Sequence, residues 1–133
     1  MALRLTLKPG ERVIIGEAVV RNGRSRVHLL VENEVPVLRE SDIVLPKAVG
    51  TPCERIYLAL QLVYVDPGKR VEHLETLRVL TDELIQAAPS FRPLVDQILV
   101  LVAGERFYQA LKSAQRLREH ERKLLTPCTE TRS

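Results

Sequence analysis

The first third of the chain contains the stretch LTLKPGERVIIG at residues 5–16 and the stretch EVPVLRE at residues 34–40. Both are rich in β-branched and aliphatic residues and are bounded by glycine, proline or asparagine, as short strands and their turns are. After residue 50 the apolar residues change to helical spacing. The sequence therefore predicts an α+β fold, with a small N-terminal antiparallel five-stranded β-sheet followed by a C-terminal helical region of three to four helices.

Five short runs in the N-terminal third are predicted to be strands. They lie at residues 3–7, 12–15, 17–21, 26–32 and 35–39. Asn22-Gly23 is the strongest turn signal between them, because a two-residue type I′ turn needs positive φ at both central positions and Asn-Gly tolerates it. We therefore predict that the strands form a meander with a hairpin at Asn22 and Gly23.

The first two helices are predicted from apolar spacing and from residues that stop helices. One begins after Pro52, carries Ile56, Leu60 and Val63 on one face, and ends at residues 66–68. The second runs over residues 69–88 and ends before a proline. Its expected apolar stripe consists of Val71, Leu74, Leu77, Leu80, Leu84 and Ile85.

A third helix is predicted to begin after Ser90, which is a suitable N-cap residue. Gly104 either breaks this helix or hinges it into a basic segment at residues 105–125. The chain is thus divided into a β-sheet region at residues 1–49, a helical region at residues 50–125 and a disordered tail at residues 126–133. Because so small a sheet cannot bury two faces alone, we expect a homodimer.

Composition argues against several classes of protein. The 133 residues carry a net charge of +3, and no apolar run is long enough for a membrane span or a signal peptide. We expect a cytoplasmic protein with no membrane partner. Cys53 and Cys128 lie far apart, and His28, His73 and His120 lack the spacing of a metal site. With no phosphate-binding loop or nucleophile elbow either, we expect no metal, no cofactor and no enzymatic activity.

Positive charge is concentrated towards the C-terminus. Residues 104–125 hold six basic side chains, namely Arg106, Lys112, Arg116, Arg118, Arg122 and Lys123, against three acidic ones. A clustered basic segment is typical of nucleic-acid contact, so Arg116 and Arg122 are candidate RNA-binding residues. A solvated helix face is an equal alternative, because acidic residues are interleaved with the basic ones.

The two N-terminal stretches resemble the carbon storage regulator family of translational repressors (CsrA, RsmA), whose pattern is L-T-R-x-x-G-E-x-x-x-I-G, a hairpin, then E-V-x-V-x-R-E. In that family the two outer strands bind RNA, and Arg39 matches its principal RNA-contacting arginine. Leu7 and Lys8 stand where the family has two arginines. The resemblance implies that RNA contacts are made by Arg4, Leu5, Thr6, Lys8, Val37, Leu38 and Arg39. The alternative is that Arg39 is an ordinary charged residue at a strand end.

Over residues 1 to about 122 the chain resembles the FlbT family of flagellar regulators. The resemblance is carried by residues 5–12, 21–23, 43, 51–52, 55–57 and 60–61. It implies a post-transcriptional regulator of flagellum biogenesis that binds the 5′ untranslated leader of flagellin mRNA and controls its translation and decay. Some members of the family are positive regulators, but we expect this chain to act as a repressor.

A protein-interaction adaptor is the rival hypothesis. In it the helices bind a flagellin, a chaperone or another flagellar regulatory protein, and the sheet serves only for dimerisation. The aromatic content of 4% favours this rival, because single-stranded RNA is commonly held by stacking of bases on aromatic side chains.

Overall fold

The computed structural model describes residues 3–125, and the tail predicted at residues 126–133 lies outside the described residues. The chain divides between Ile43 and Val44 into two compact units, which we call the strand unit and the helical unit. Five strands precede four α-helices, so the predicted α+β class is confirmed.

The strand unit contains five antiparallel strands divided between two sheets. They are β1 (Leu3–Leu7), β2 (Arg12–Ile15), β3 (Ala18–Arg21), β4 (Val27–Val31) and β5 (Val37–Arg39). β1 pairs with β4 in one sheet, whereas β2 lies between β3 and β5 in the other. The predicted meander is therefore wrong, because β3 and β4 follow each other in the chain but belong to different sheets.

The hairpin predicted at Asn22 and Gly23 is wrong for the same reason. The side-chain amide of Asn22 donates to the backbone carbonyls of Leu7 at 3.2 Å, Lys8 at 2.8 Å and Ser25 at 2.8 Å. The Gly23 N–H donates to Asn22 Oδ1 at 2.8 Å. Asn22 thus ties the crossover between the sheets to the end of β1, and these hydrogen bonds replace those of a tight turn.

Gly10 and Gly16, unlike Gly23, adopt the left-handed conformation that their turns require. Gly10 has φ of 74° and Gly16 has φ of 63°. The Gly16 N–H also donates to the carbonyl of Pro36 at 2.7 Å, which joins the turn after β2 to the start of β5. Residues of both sheets share one core, formed by Leu5, Leu7, Val13 and Val37 with Ile15, Val20, Val27, Leu29 and Val31 packed against them.

The helical unit contains α1 (Pro52–Val65), α2 (Arg70–Ala87), α3 (Arg92–Ala103) and α4 (Phe107–Leu125). α1 packs against α2 and α4, and α3 packs against α4. As predicted, Ile56, Leu60 and Val63 are buried along α1. The helix is capped by Thr51, whose side-chain oxygen accepts from the Glu54 N–H at 3.2 Å. It ends at Val65, as the Asp-Pro-Gly sequence predicted.

α2 differs from its prediction at one position of the stripe. Leu77 and Leu84 are buried, whereas Val71 is 82% exposed. Val71 lies in the first turn of the helix, where no neighbouring element covers it. The stripe prediction is therefore wrong for Val71.

The start and end of α3 settle two further predictions. The helix begins at Arg92 after a 3₁₀ turn at Pro89–Phe91, and no side chain caps it, so Ser90 is not its N-cap. The residue at the N-cap position is Phe91, whose side chain is buried. Gly104 ends α3 and does not hinge it into the basic segment, which forms the separate helix α4. Within residues 3–125 no helix combines the length and apolar character that a membrane crossing requires.

Candidate nucleic-acid interface

β1 presents a polar and positively charged side opposite the core. Leu5 and Leu7 point into the core, so the alternation of the strand places Arg4 and Thr6 on the other side, and Lys8 directly follows the strand. Arg4 and Lys8 are exposed, and Thr6 Oγ1 lies 3.0 Å from Nδ1 of His28 on β4. Four residues of extended chain separate Arg4 from Lys8 by about 13 Å.

Arg39 adds a third cation beside this strand. Its Nη2 donates to the backbone carbonyl of Thr6 at 2.7 Å. The same nitrogen lies 3.2 and 3.1 Å from the two carboxylate oxygens of Glu11. The side chain of Arg39 nevertheless remains 39% exposed, so these contacts do not bury it. We call Arg4, Lys8 and Arg39 the β1 cationic row.

Glu11 holds the guanidinium of Arg39 in this position. The backbone N–H of Lys8 donates to Glu11 Oε1 at 2.9 Å. That hydrogen bond, followed by the one from Arg39, lowers the pKa of the Glu11 carboxyl below its ordinary value. Glu11 is therefore ionised at neutral pH, and an anion that binds Arg39 competes with it or shares the guanidinium with it.

The other strand residues suggested by the family resemblance lie in the core. Leu5 and Val37 belong to the shared core of the two sheets, and Leu38 is fully buried. Only the backbone of these three residues is left to meet a ligand. Residues 1–43 contain no Phe, Tyr or Trp, so the exposed imidazole of His28 is the aromatic ring that the strand unit offers for stacking of a base.

Arg116 and Arg122 lie in the helical unit, on exposed positions of α4. Nη1 of Arg116 lies 3.4 Å from Oε1 of Gln97 on α3. Arg118, one of the basic residues between them, has a structural role, because its guanidinium lies 4.9 Å from the ring centroid of the buried Tyr57. The basic segment therefore divides into exposed charges and a packed one.

Glu11 and His28 are the site residues that sequence reasoning missed. The pairing of β2 with β5 sets Val13 opposite Arg39 and so brings Glu11 within reach. The pairing of β1 with β4 sets Thr6 opposite His28 in the same way. Glu11 stands in the G-E-x-x-x-I-G pattern, but its contact with Arg39, like the contact of His28 with Thr6, depends on strand register, and the predicted meander has neither pairing.

The described residues hold no arrangement suited to a metal ion or a reactive thiolate. Within residues 3–125 no group of three or more His, Cys, Asp or Glu side chains is placed to bind a metal. Cys53 is buried, and burial together with the nearby Glu121 raises the pKa of its thiol to about 12. The thiol is protonated at neutral pH and is not a nucleophile there.

A family model described as flagellar protein FlbT matches residues 3–125. The chain belongs to the FlbT family. The sequence resemblance over residues 1 to about 122 is thereby confirmed. No solved structure gives a significant match.

Curated FlbT relatives match the chain over most of its length. The "probable flagellum biosynthesis repressor protein FlbT 1" of Bradyrhizobium diazoefficiens is 39% identical over 125 residues, which cover 93% of this chain and 85% of the relative. A "probable flagellum biosynthesis repressor protein FlbT" of Rhodopseudomonas palustris is 35% identical over 129 residues, covering 95% and 99%. The "flagellum biosynthesis repressor protein FlbT" of Caulobacter vibrioides is 34% identical over 123 residues, covering 91% and 87%.

Proposed function

We propose that this FlbT-family protein represses flagellum biosynthesis in the cytoplasm by binding the 5′ untranslated leader of flagellin mRNA and controlling its translation and decay. The names of the curated relatives support a repressor of flagellum biosynthesis. The proposal of RNA as the target is carried by the β1 cationic row. There, the guanidinium of Arg39 is held in place by a backbone carbonyl and a carboxylate while 39% of the side chain is exposed.

The phosphates of single-stranded RNA are the expected ligands of the row. Arg4 on β1 and Lys8 just after it are exposed cations about 13 Å apart, and Arg39 is anchored at Thr6 between them. A planar guanidinium donates two parallel hydrogen bonds to a phosphate or to a base edge, and its preset position reduces the entropy lost on binding. Since the strand unit has no Phe, Tyr or Trp, we expect charge and hydrogen bonds to supply most of the affinity.

A charge-based mode of binding predicts a defined dependence on salt. Each phosphate neutralised on a single strand contributes about 0.7 to the slope of log affinity against log salt. Three contacts from the row give a slope of about 2, which is a loss of about 15-fold between 50 and 200 mM salt. Arg116 and Arg122 are exposed cations of α4, and each should strengthen the binding of all RNAs about equally.

The test is a fluorescence anisotropy titration of labelled flagellin leader RNA with the wild type and two variants. Arg4→Ala removes a cation of the row and should weaken binding about fivefold. Arg24→Ala removes an exposed arginine of the same unit that lies outside the row, and should leave the affinity within about twofold of the wild type. Equal losses in the two variants would show that the row has no special part in RNA binding.

We also propose that the protein acts as a homodimer. Leu3, Val19 and Leu30 are large apolar residues on the strands and are 46%, 70% and 61% exposed. A second copy of the chain would bury these residues, which so small a unit does not bury by itself. Analytical ultracentrifugation at micromolar concentration should give the mass of a dimer, and a monomer mass would refute this proposal.

A second candidate function is the adaptor, in which the helices bind a flagellar regulatory protein. The observation that favours it is an exposed groove between α3 and α4 that is lined in part by Val100, Leu101 and Tyr108. The two functions are compatible, because the cationic row and the groove lie in different units.

A further inference from the structure

The helical unit carries an open groove between α3 and α4. Its volume is about 720 Å³, and Val100 and Leu101 of α3 face Tyr108 of α4 within it. Val100 is 71% exposed and Tyr108 is 41% exposed. α3 therefore buries one apolar face, with Val95 and Ile98 in the core, and shows a second one to solvent.

The groove has an apolar end and a charged end. The apolar end is next to the turn that joins the two helices and is formed by Val100, Leu101 and Tyr108. Lys112 and Arg116 follow on α4, and Asp96 lies on α3. Tyr108 and Arg116 are eight residues apart on one helix, so they are separated along it by about 12 Å, or roughly two helical turns. Lys112 lies between them, with its Nζ 5.8 Å from the centroid of the Tyr108 ring.

We infer that this groove docks an amphipathic helix of a partner protein, with an apolar side chain over Val100 and Tyr108 and a carboxylate directed to Lys112 and Arg116. Two turns of a bound helix match the length of the groove, so the apolar and the acidic residue should be seven or eight positions apart. Charge complementarity selects the acidic partner, because α4 supplies two cations to the lining and α3 one carboxylate.

The observations favour protein over RNA as the occupant. A ribose-phosphate backbone gains little from a valine that is 71% exposed, whereas burial of that side chain by an apolar residue releases water from both. This inference does not depend on the proposal for the β1 cationic row. Its failure and the failure of RNA binding are therefore separate results.

The test uses a synthetic helical peptide with leucine and glutamate seven positions apart, and a matched peptide with lysine in place of each glutamate. Isothermal titration of the full chain should give binding of the glutamate peptide, with the lysine peptide at least about tenfold weaker. Arg116→Glu should lower the affinity for the glutamate peptide and raise that for the lysine peptide.

A second pair of variants tests the apolar end of the groove, with Val71→Asp as the matched control for Val100→Asp. Val100→Asp places a charge in the apolar end and should weaken the glutamate peptide at least about tenfold. Val71→Asp makes the same change at an exposed valine of α2, outside the groove, and should leave peptide affinity unchanged. Both sites are exposed, so both variants should fold.

Several results would overturn the inference. One is equal binding of the two peptides, and another is no binding of the glutamate peptide at about millimolar concentration. If Val100→Asp leaves peptide binding intact but converts a dimer into a monomer, a second copy occupies the groove. If it abolishes binding of the leader RNA, the groove belongs to the RNA surface.

Discussion

Removing Glu11 and removing Arg39 should change RNA binding in opposite directions. In the wild type Arg39 Nη2 lies 3.1 Å from Glu11 Oε2, so the carboxylate neutralises part of the charge offered to RNA. A phosphate on the far edge of the guanidinium would lie about 7 Å from that carboxylate. In a water-like dielectric, loss of one like charge at this distance strengthens binding about threefold, which is the result expected for Glu11→Gln.

Arg39→Ala should instead weaken binding. It removes a charged hydrogen-bonding contact to phosphate or base, at a cost of about 1 to 2 kcal/mol, or 5- to 30-fold in affinity. Arg39→Lys should restore only part of this, because an ammonium group does not reproduce the planar fork. The assay is the anisotropy titration of labelled leader RNA.

Urea denaturation supplies the control for this pair of variants. Both should lower the free energy of unfolding, since Glu11→Gln loses the ion pair and Arg39→Ala removes a donor from the Thr6 carbonyl. If Arg39 only joins β5 to β1, both variants should change RNA binding in the same direction or not at all. That result would refute the role of Arg39 in RNA contact.

Three further predictions concern pH, thiol reactivity and a helix contact. Folding lowers the pKa of Glu11, so the stability that its carboxylate contributes is complete above the ordinary pKa of 4.5 and is lost as the pH falls through the lowered pKa. In urea titrations at pH 7 and pH 3, Glu11→Gln should therefore reduce the difference between the two free energies of unfolding. In a Cys128→Ser background, Cys53 should react with a thiol reagent at pH 8 only on unfolding, because its pKa is about 12, and rapid reaction of the native protein would contradict its burial. The Glu121 carboxylate accepts hydrogen bonds from the Thr51 hydroxyl and the Cys53 N–H at the start of α1. Glu121→Ala should therefore destabilise the protein by about 1 to 3 kcal/mol in thermal melts. An unchanged melting temperature would show that this contact does not stabilise the fold.

The helices could be predicted from sequence because their signals are local. The apolar spacing of α1, the proline after its cap Thr51 and the stop at Asp66 all lie within about one turn of the residues they affect. Exposure of Val71 and burial of Phe91 depend on which elements cover them, so these two features were not available from periodicity.

Strand order could not be predicted because pairing is a property of distant residues. Asn22-Gly23 is a strong hairpin signal by itself, but the amide of Asn22 binds carbonyls 14 and 15 residues earlier in the chain. The same limit applies to the site. The motifs contain both Arg39 and Glu11, but the contact between them follows from the register between β2 and β5.

The most direct test of RNA regulation is crosslinking in cells, with sequencing of the transcripts bound to the tagged protein. Crosslinks should concentrate in the 5′ untranslated leader of flagellin mRNA, and a variant that combines Arg4→Ala, Lys8→Ala and Arg39→Ala should lose most of them. Val100→Asp should leave these crosslinks in place. Absence of enrichment at the flagellin leader for the wild type would refute RNA regulation, and equal enrichment for the triple variant would refute the role of the β1 cationic row.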